Sequence, residues 1–389
     1  MEKIIIGGAA FIFGLGELKE AFEALGHQLK FIEAPFMNDY TEIDEKNLVN
    51  FSADLEEEGV LLPVSEYWIT KALENSKSKI NIRALKASRS KVYFSKLLEE
   101  NGVKVSSPVS YENACEGFLE GRKYIVKPEG LYSGYGVRLV ESKAELENAL
   151  EKCACVKTHS LKLFGINNKT PVIWENIEGT EYSADCFLYG GKMEVVRVCR
   201  KRIALIHNNP CTVAIQIIPC SDRILKALTK WNSILFDEND ISFSQFDFID
   251  DGENLVPVDF ASRVGGGMAN LLKMAGNPYA KAVRRMAEQF GLNKSQGCSI
   301  VFDKADYEKG YPSQVNYLPV RSGKIKNLSF ETVTERTVYN KKPGDFVPES
   351  PSSVASRIAT GFGFLDNLDE LPLEKLLLGD SFIGDWKKV

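Results

Sequence analysis

The sequence predicts an α/β protein of more than one domain, with α+β character beyond its N-terminal part. Three observations point there. The chain opens on a strand, a helix and a second strand, the start of a parallel sheet with crossover helices. Its middle carries β-hairpins rather than further crossovers. And 389 residues, 44% of them hydrophobic, are too many for one compact core.

The totals exclude several classes. Lys+Arg 48 against Asp+Glu 53 leave a net charge of −5, so bulk positive charge gives no support for nucleic-acid binding. No apolar run reaches membrane-spanning length. The opening MEKIIIGGAAFIFGLGEL lacks a basic n-region and an A-x-A site, so it reads as structure and not as a signal peptide. Eight cysteines without a C-x-x-C pair, and three histidines in all, argue against zinc and for reduced thiols in a cytoplasmic protein.

Residues 3–7, KIIIG, read as a buried strand ended by Gly7 and Gly8. A helix runs from about Gly16 to Leu25, with Gly26 at the position of a left-handed cap. Residues 28–33 form the second strand and Val60 to Leu62 a further one. Without G-x-G-x-x-G spacing, Gly7 and Gly8 are assigned to a tight turn and not to a dinucleotide. Residues 86–101 show helical periodicity through Val92, Tyr93, Phe94, Leu97 and Leu98, closed by Gly102. The first domain boundary is placed near residue 88. A strand KYIVKP, a loop bearing Gly130, Gly134 and Gly136, and a strand VRLVES occupy 123–142. Residues 172–190 read as strand, turn, strand; 244–260 form a hairpin turning at Asp250-Asp251-Gly252; and 276–291 are helical. The last hundred residues or so mix short β-like runs.

Four features follow one another: Lys91 at a helix start; Lys127 on a strand, followed by the glycine loop; Trp174 to Glu181; and Asp247 with Asp259 on one hairpin, with Arg263 just after. Each suits a nucleoside triphosphate. A strand lysine is a compact charge for phosphate oxygens. Glycines let backbone N–H groups approach phosphates and let a flap move. Backbone groups near 174–177 can meet an adenine edge, and Glu181 can accept ribose hydroxyls. Two carboxylates across a hairpin can share magnesium, and an arginine beside them can neutralise charge building up on a transferring group.

This ordered set resembles the ATP-grasp superfamily over most of the chain. The resemblance rests on SKVYFSKLLEENGVKVSSP, YIVKPEGLYSGYGV, WENIEGTEYSAD and FDFIDDGENLVPVDFASRVGGG, with support from MANLLKMAGNPYAKAVRRMA and the tail GDFVPESPSSVASRIATGFGFLDNLDEL. It implies an N-terminal Rossmann-like α/β domain (1–88), an ATP-grasp domain (89–290) with a β-rich lid at about 120–180, and a C-terminal subdomain (291–389) completing the catalytic domain. Lys91 and Lys127 would bind ATP phosphates, with the loop residues Gly130, Ser133, Gly134 and Gly136. Glu175, Asn176 and Ile177 would form the adenine hinge, and Glu181 would hold ribose. Asp247 and Asp259 would bind one or two Mg²⁺, with Mn²⁺ as an alternative. Arg263 would contact the γ-phosphate or an acyl phosphate and, with Lys127, be catalytic. The family's usual Glu-x-Asn-x-Arg is here Asp259-Phe260-Ala261-Ser262-Arg263, so one metal ligand is lost at Ala261.

The implied activity is that of a carboxylate–amine ligase acting through an acyl phosphate and releasing ADP. The layout is most similar to amino-acid (dipeptide) ligases and the pyrrolysine-type lysine ligase. Its partners would be a small carboxylate and an amine, amino acids or small peptide-like molecules, with no nucleic acid or membrane; dimeric relatives suggest a homodimer. An ATP-dependent carboxylase or purine-pathway ligase of the same fold stays open, as does a non-catalytic nucleotide-binding protein, for which Ala261 speaks. Ordinary alternatives also stand. Asp247 and Asp259 could be the polar side of alternating strands. Gly265-Gly266-Gly267 could be a turn or an anion nest. The run Arg200, Lys201, Arg202 could be a solvated face or could reach phosphates, and His207 is more simply structural than substrate-binding.

Overall fold

The computed structural model describes residues 2–40, 43–52, 59–74, 81–131, 134, 136–154, 170–266, 269–292, 310–347 and 356–384. Four sheets organise them into a mixed α/β architecture.

The first sheet is parallel, ordered β3-β2-β1-β4, from β1 (Lys3–Gly7), β2 (Gln28–Glu33), β3 (Val49–Phe51) and β4 (Val60–Pro63). β1 lies between β2 and β4, so Ile4, Ile5 and Ile6 are buried on both sides. Helix α1 (Leu15–Ala24) buries Leu18, Ala21 and Phe22, and Gly26 adopts φ 89° beyond it. Helix α2 (Glu66–Glu74) follows β4. Trp68 of α2 packs so close to β1 that a Cβ on Gly7 would lie 2.7 Å from its ring. Gly8 turns the chain at φ 113°.

The helix expected over 86–101 is two helices, α3 (Ile82–Arg89) and α4 (Lys91–Glu100). Ser90 breaks them: it is extended (φ −134°, ψ 110°) and its hydroxyl caps α4 at the Tyr93 N–H. Periodicity alone could not show the break, because both helices bury apolar residues in one core.

The second sheet is antiparallel, ordered β5-β8-β6-β7, from β5 (Pro108–Val109), β6 (Tyr124–Pro128), β7 (Arg138–Val140) and β8 (Pro171–Glu175). Helices α5 (Tyr111–Leu119) and α6 (Lys143–Ala154) flank it, and Ala114, Tyr124, Val126, Leu146 and Ile173 form its own core.

The large sheet runs β13-β12-β9-β10-β11-β14-β18-β16. Its central hairpins are β9 (Thr180–Tyr189), β10 (Lys192–Ile206), β11 (Asn209–Ile218), β12 (Ser242–Asp250) and β13 (Leu255–Ala261). The C-terminal part extends it through β14 (Tyr311–Pro319), β16 (Arg336–Tyr339) and β18 (Ala359–Leu365). The strands β15 (Gly323–Ile325), β17 (Phe346–Val347) and β20 (Ile383–Gly384) form a small third antiparallel sheet, and β19 (Leu377–Leu378) pairs with β14.

Side chains alternate across the central strands, so the large sheet has two faces. One is apolar: Phe246, Phe248 and Phe260 pack with Phe94 of α4 and Trp231 of α7 (Asp222–Leu235). On the other, Phe187 and Phe243 meet α1 and α9 (Pro278–Gln289), after the short α8 (Ala269–Met274). The rest of that second face carries charge. Among the described residues no helix is long and apolar enough to cross a membrane.

Candidate active site

β12 and β13 pair with Asp247 directly opposite Asp259. Both point away from Phe246 and Phe260, which are buried under the helices. On the next strand Glu181 joins them through Lys201, whose Nζ lies 2.7 Å from Glu181 Oε1 and 2.9 Å from Asp247 Oδ1. Lys91, in the first turn of α4, places its Nζ 3.0 Å from Asp259 Oδ1 and 3.0 Å from the Leu131 carbonyl in the lid loop. Lys127 projects from β6, its Nζ 5.5 Å from the centre of the Trp174 ring.

The charges are tuned by their neighbours. Burial pushes the Lys127 ammonium below its ordinary value, against the pull of Asp259, Glu181 and Asp247. Burial acts on Lys201 in the same sense, but Asp247 and Glu181 outweigh it and hold the ammonium above its ordinary range. The Asp247 carboxyl is raised, first by burial, with Lys201 opposing. An anionic ligand at Lys127 would relieve that desolvation.

Arg263 follows β13. Its Nε and one terminal nitrogen each lie 2.8 Å from Glu66 Oε1, and Nη1 donates to the Val264 carbonyl at 2.7 Å. Arg89 reaches the other oxygen of Glu66 at 2.5 Å. Burial would raise the Glu66 carboxyl, but Arg263 and Arg89 overcome it and hold it below its ordinary value. Behind Arg263 lies a second buried pair. Arg197 donates to both oxygens of Asp185, at 2.9 and 3.0 Å. Tyr279 O–H and the Gly265 N–H also donate to Asp185, at 2.5 and 3.1 Å. A Cβ on Gly265 would lie 2.1 Å from Arg197 Nη2, so the chain can pass only as glycine.

The lid loop has Gly130, Gly134 and Gly136 at φ 73°, 69° and 74°. At its base Glu129 accepts from the Ser90 hydroxyl at 2.5 Å, which ties the loop to the start of α4. Glu175 ends β8 exposed, its carbonyl accepting from the Ser106 hydroxyl at 2.9 Å, and Asn176 and Ile177 continue the chain toward Glu181. Trp174 is buried, and its Nε1 has no hydrogen-bond partner among the described residues. Ser133 and Gly267 lie outside the described residues.

The structure divides the basic run. Lys201 faces the carboxylates, whereas Arg200 pairs with Asp369 at 2.6 Å and Arg202 donates to the carbonyls of Leu368, at 2.7 Å, and Leu371. Strand alternation sends neighbours to opposite faces, so Arg200 and Arg202 are structural and do not meet the site. His207 (φ 48°) and Asn208 (φ 62°) form the β10–β11 turn, far along the strand from Lys201. Ser262 is buried and its N–H donates to Ser88 Oγ at 3.2 Å, away from the carboxylates. Opposite Ala261 stands Gln245, whose Nε2 donates to Asp247 Oδ1 at 2.7 Å. Sequence reasoning missed Glu66, Arg89, Asp185 and Arg197. A charged residue inside an apolar strand was the available signal for the last two.

Among the described residues no group of three or more His, Cys, Asp or Glu stands ready as a metal site. Two facing carboxylates, each partly exposed and each paired with a lysine, suit a hydrated hard cation that takes its other ligands from water or phosphate.

Residues 121–231 match the ATP-grasp domain family. A comparison with curated protein sequences gives no match. Among solved structures, L-amino acid ligase from Bacillus licheniformis matches at 14% identity and TM-score 0.59, covering 95% of each chain. N5-carboxyaminoimidazole synthase from Aspergillus clavatus, in complex with ADP, matches at 11% and 0.57 over 95% of each. Phosphoribosylglycinamide synthetase from Anaerococcus prevotii matches at 17% and 0.54, again over 95% of each. With the lysines, the hairpin carboxylates and the glycine-bearing lid in one place, and with solved structures of this kind superposing along nearly the whole chain, the protein has the ATP-grasp fold.

Proposed function

We propose that the protein is an ATP-dependent carboxylate–amine ligase acting on an amino acid or a small peptide-like substrate. The observation that carries this is the convergence of Lys91, Lys127 and Lys201 with Asp247, Asp259 and Arg263 between the large sheet and the lid loop.

Lys91 and Lys127 would take the ATP phosphates, with the lid loop's backbone closing over them. Lys201, the third lysine of the set, would leave Glu181 for the phosphates and free that carboxylate for the ribose hydroxyls. Glu175, Asn176 and Ile177 would supply backbone partners for adenine. Asp247 and Asp259 would hold Mg²⁺, which would supply charge neutralisation at the phosphates; the amide carbonyl of Gln245, opposite Ala261, would be the oxygen to take the place of the lost ligand.

A substrate carboxylate oxygen attacks the γ-phosphorus and the bond to the β-phosphate oxygen breaks, releasing ADP. The amine nitrogen then attacks the acyl carbon, loses a proton, and phosphate leaves. Arg263 stays protonated, because Glu66 outweighs the effect of burial, and it faces the charge on the acyl phosphate. Otherwise the protein's contribution is positioning and exclusion of water.

The test is an ADP-release screen with the proteinogenic L-amino acids offered singly and in pairs. Release that needs both a carboxylate and an amine is expected, and Lys127→Ala or Asp259→Ala abolishes it. AMP with pyrophosphate as products would overturn the proposal. Bicarbonate-dependent release would move the protein to the carboxylases.

A further inference from the structure

Lys201 sits on β10 and Asp247 on β12, with β9 between them. The Lys201 side chain therefore reaches across a whole strand, about 10 Å of sheet. Its Nζ lies 2.9 Å from Asp247 Oδ1 and 2.7 Å from Glu181 Oε1 on the intervening strand. From the other flank Lys91 places its Nζ 3.0 Å from Asp259 Oδ1. The two lysine side chains are 11% and 14% exposed, so they are held in place and not waving in solvent. Asp247 and Asp259 face each other between these two ammonium groups. Asp247 Oδ1 also accepts from the Gln245 amide, and Asp259 Oδ1 from the Phe260 N–H.

Each carboxylate suited to a metal thus has a cation of the chain's own beside it. Lys127 acts on the same acids from β6, so three lysines stand against three carboxylates. Arg263, the next cation along, is held by Glu66. The balance decides what can enter. A free divalent cation would bring two more positive charges and could reach the acids only against Lys201 and Lys91. A nucleotide without a cation would draw the lysines to its phosphates and leave the carboxylates uncompensated beside them. Arriving together, each removes the obstacle to the other: phosphates take the ammonium groups and the cation takes the carboxylates.

We propose that Lys201, seconded by Lys91, keeps free divalent cations off Asp247 and Asp259 and makes metal binding conditional on nucleotide binding. The inference rests on the nucleotide and metal assignments of the ligase reading, and not on its substrates. Lys201 is in this respect a specificity-determining residue, because it favours the metal–nucleotide complex over either part alone. Coupling between two ligands is reciprocal, so the nucleotide raises metal affinity by the factor by which the metal raises nucleotide affinity.

The test titrates Mn²⁺ into the full chain without nucleotide, with free Mn²⁺ read by electron paramagnetic resonance. Lys201→Met should bind Mn²⁺ about tenfold or more tightly than wild type, a gain within the usual range of coupling between sites. Lys201→Arg keeps the charge and should stay within about twofold of wild type. Lys91→Met is the second variant; it should gain in the same sense through Asp259, and it decides the matter if Lys201→Met does not fold. Melting temperatures check the fold of all three. Calorimetry of ADP with and without Mg²⁺ gives the coupling, which should shrink in Lys201→Met. Equal Mn²⁺ affinity in wild type and both methionine variants overturns the proposal. So does a gain in Lys201→Arg as large as that in Lys201→Met. If Mg²⁺ strengthens ADP binding to wild type while the methionine variants gain no Mn²⁺, only this proposal fails. If Mg²⁺ leaves ADP affinity unchanged in wild type, the metal assignment of the ligase reading fails, and this inference with it.

Discussion

Lys201 holds two carboxylates on one ammonium, Glu181 at 2.7 Å and Asp247 at 2.9 Å. Replacing it by methionine keeps the stem and leaves those two acids facing each other without the ammonium between them. Lys201→Met should cost about 1–3 kcal/mol of stability without ligand, read by denaturant unfolding. ADP release should fall by about a hundredfold or more. Glu66 allows a pH test. Its carboxyl is held below its ordinary value of 4.5. In the window between the folded value and 4.5 the unfolded chain therefore binds more protons than the native protein. Stability rises with pH across that window and is lost as pH falls through the folded value. Glu66→Gln removes this term, so its melting temperature should vary less with pH in that acid window than the wild type's; an identical slope would show that Glu66 has no part in it. Lys91, Lys127, Asp247, Asp259 and Arg263 were legible in the sequence because each stands in a local pattern. Lys201 was legible only as one of three basic residues, since which of them faces the site depends on pairing with strands far away in sequence. Glu66 and Arg89 were hidden for the same reason: their partners are each other and Arg263, 197 residues from Glu66.

At the scale of elements, strand alternation and turn glycines made the hairpins readable, and the break at Ser90 did not show. Ser90 makes the boundary by serving two partners, the Tyr93 N–H and the Glu129 carboxylate. The second lies in the lid, so no window around residue 90 contains it. The segment after β13 is likewise set from a distance. Gly265 passes over the Arg197–Asp185 pair with its N–H on Asp185, and a methyl group there would collide with Arg197. Gly265→Ala should cost about 3 kcal/mol or more, by overpacking and by disturbing a buried ion pair. Equilibrium unfolding measures it. A cost below about 1 kcal/mol would mean that the segment can move aside. The triglycine run suggested a turn or an anion nest; for Gly265 the anion is the protein's own Asp185.

For the whole molecule, the mixed α/β fold of the ATP-grasp kind was foreseen. The order in which β14, β18 and β16 join the large sheet was not, because their pairing partners lie far away in sequence. A nucleotide that sits between lid and sheet binds the folded state alone. ADP with Mg²⁺ at about a hundred times its Kd should therefore add about 2.7 kcal/mol of stability. A melting temperature indifferent to ADP would count against the nucleotide site as a whole. The lid also touches the large sheet at its far end: the Leu139 N–H of β7 donates to the Asn208 carbonyl at 2.8 Å, and Asn208 Nδ2 reaches Glu145 of α6 at 3.0 Å. Asn208 is the tip of the β10–β11 hairpin, and Lys201 stands on the same arm, several residues toward its root. That hairpin therefore joins the second sheet to the large one by its tip. If the second sheet moved as a body while those two bonds held, the hairpin would have to follow it or serve as its pivot, and Lys201, on the same arm, would feel the strain through backbone and not through a ligand.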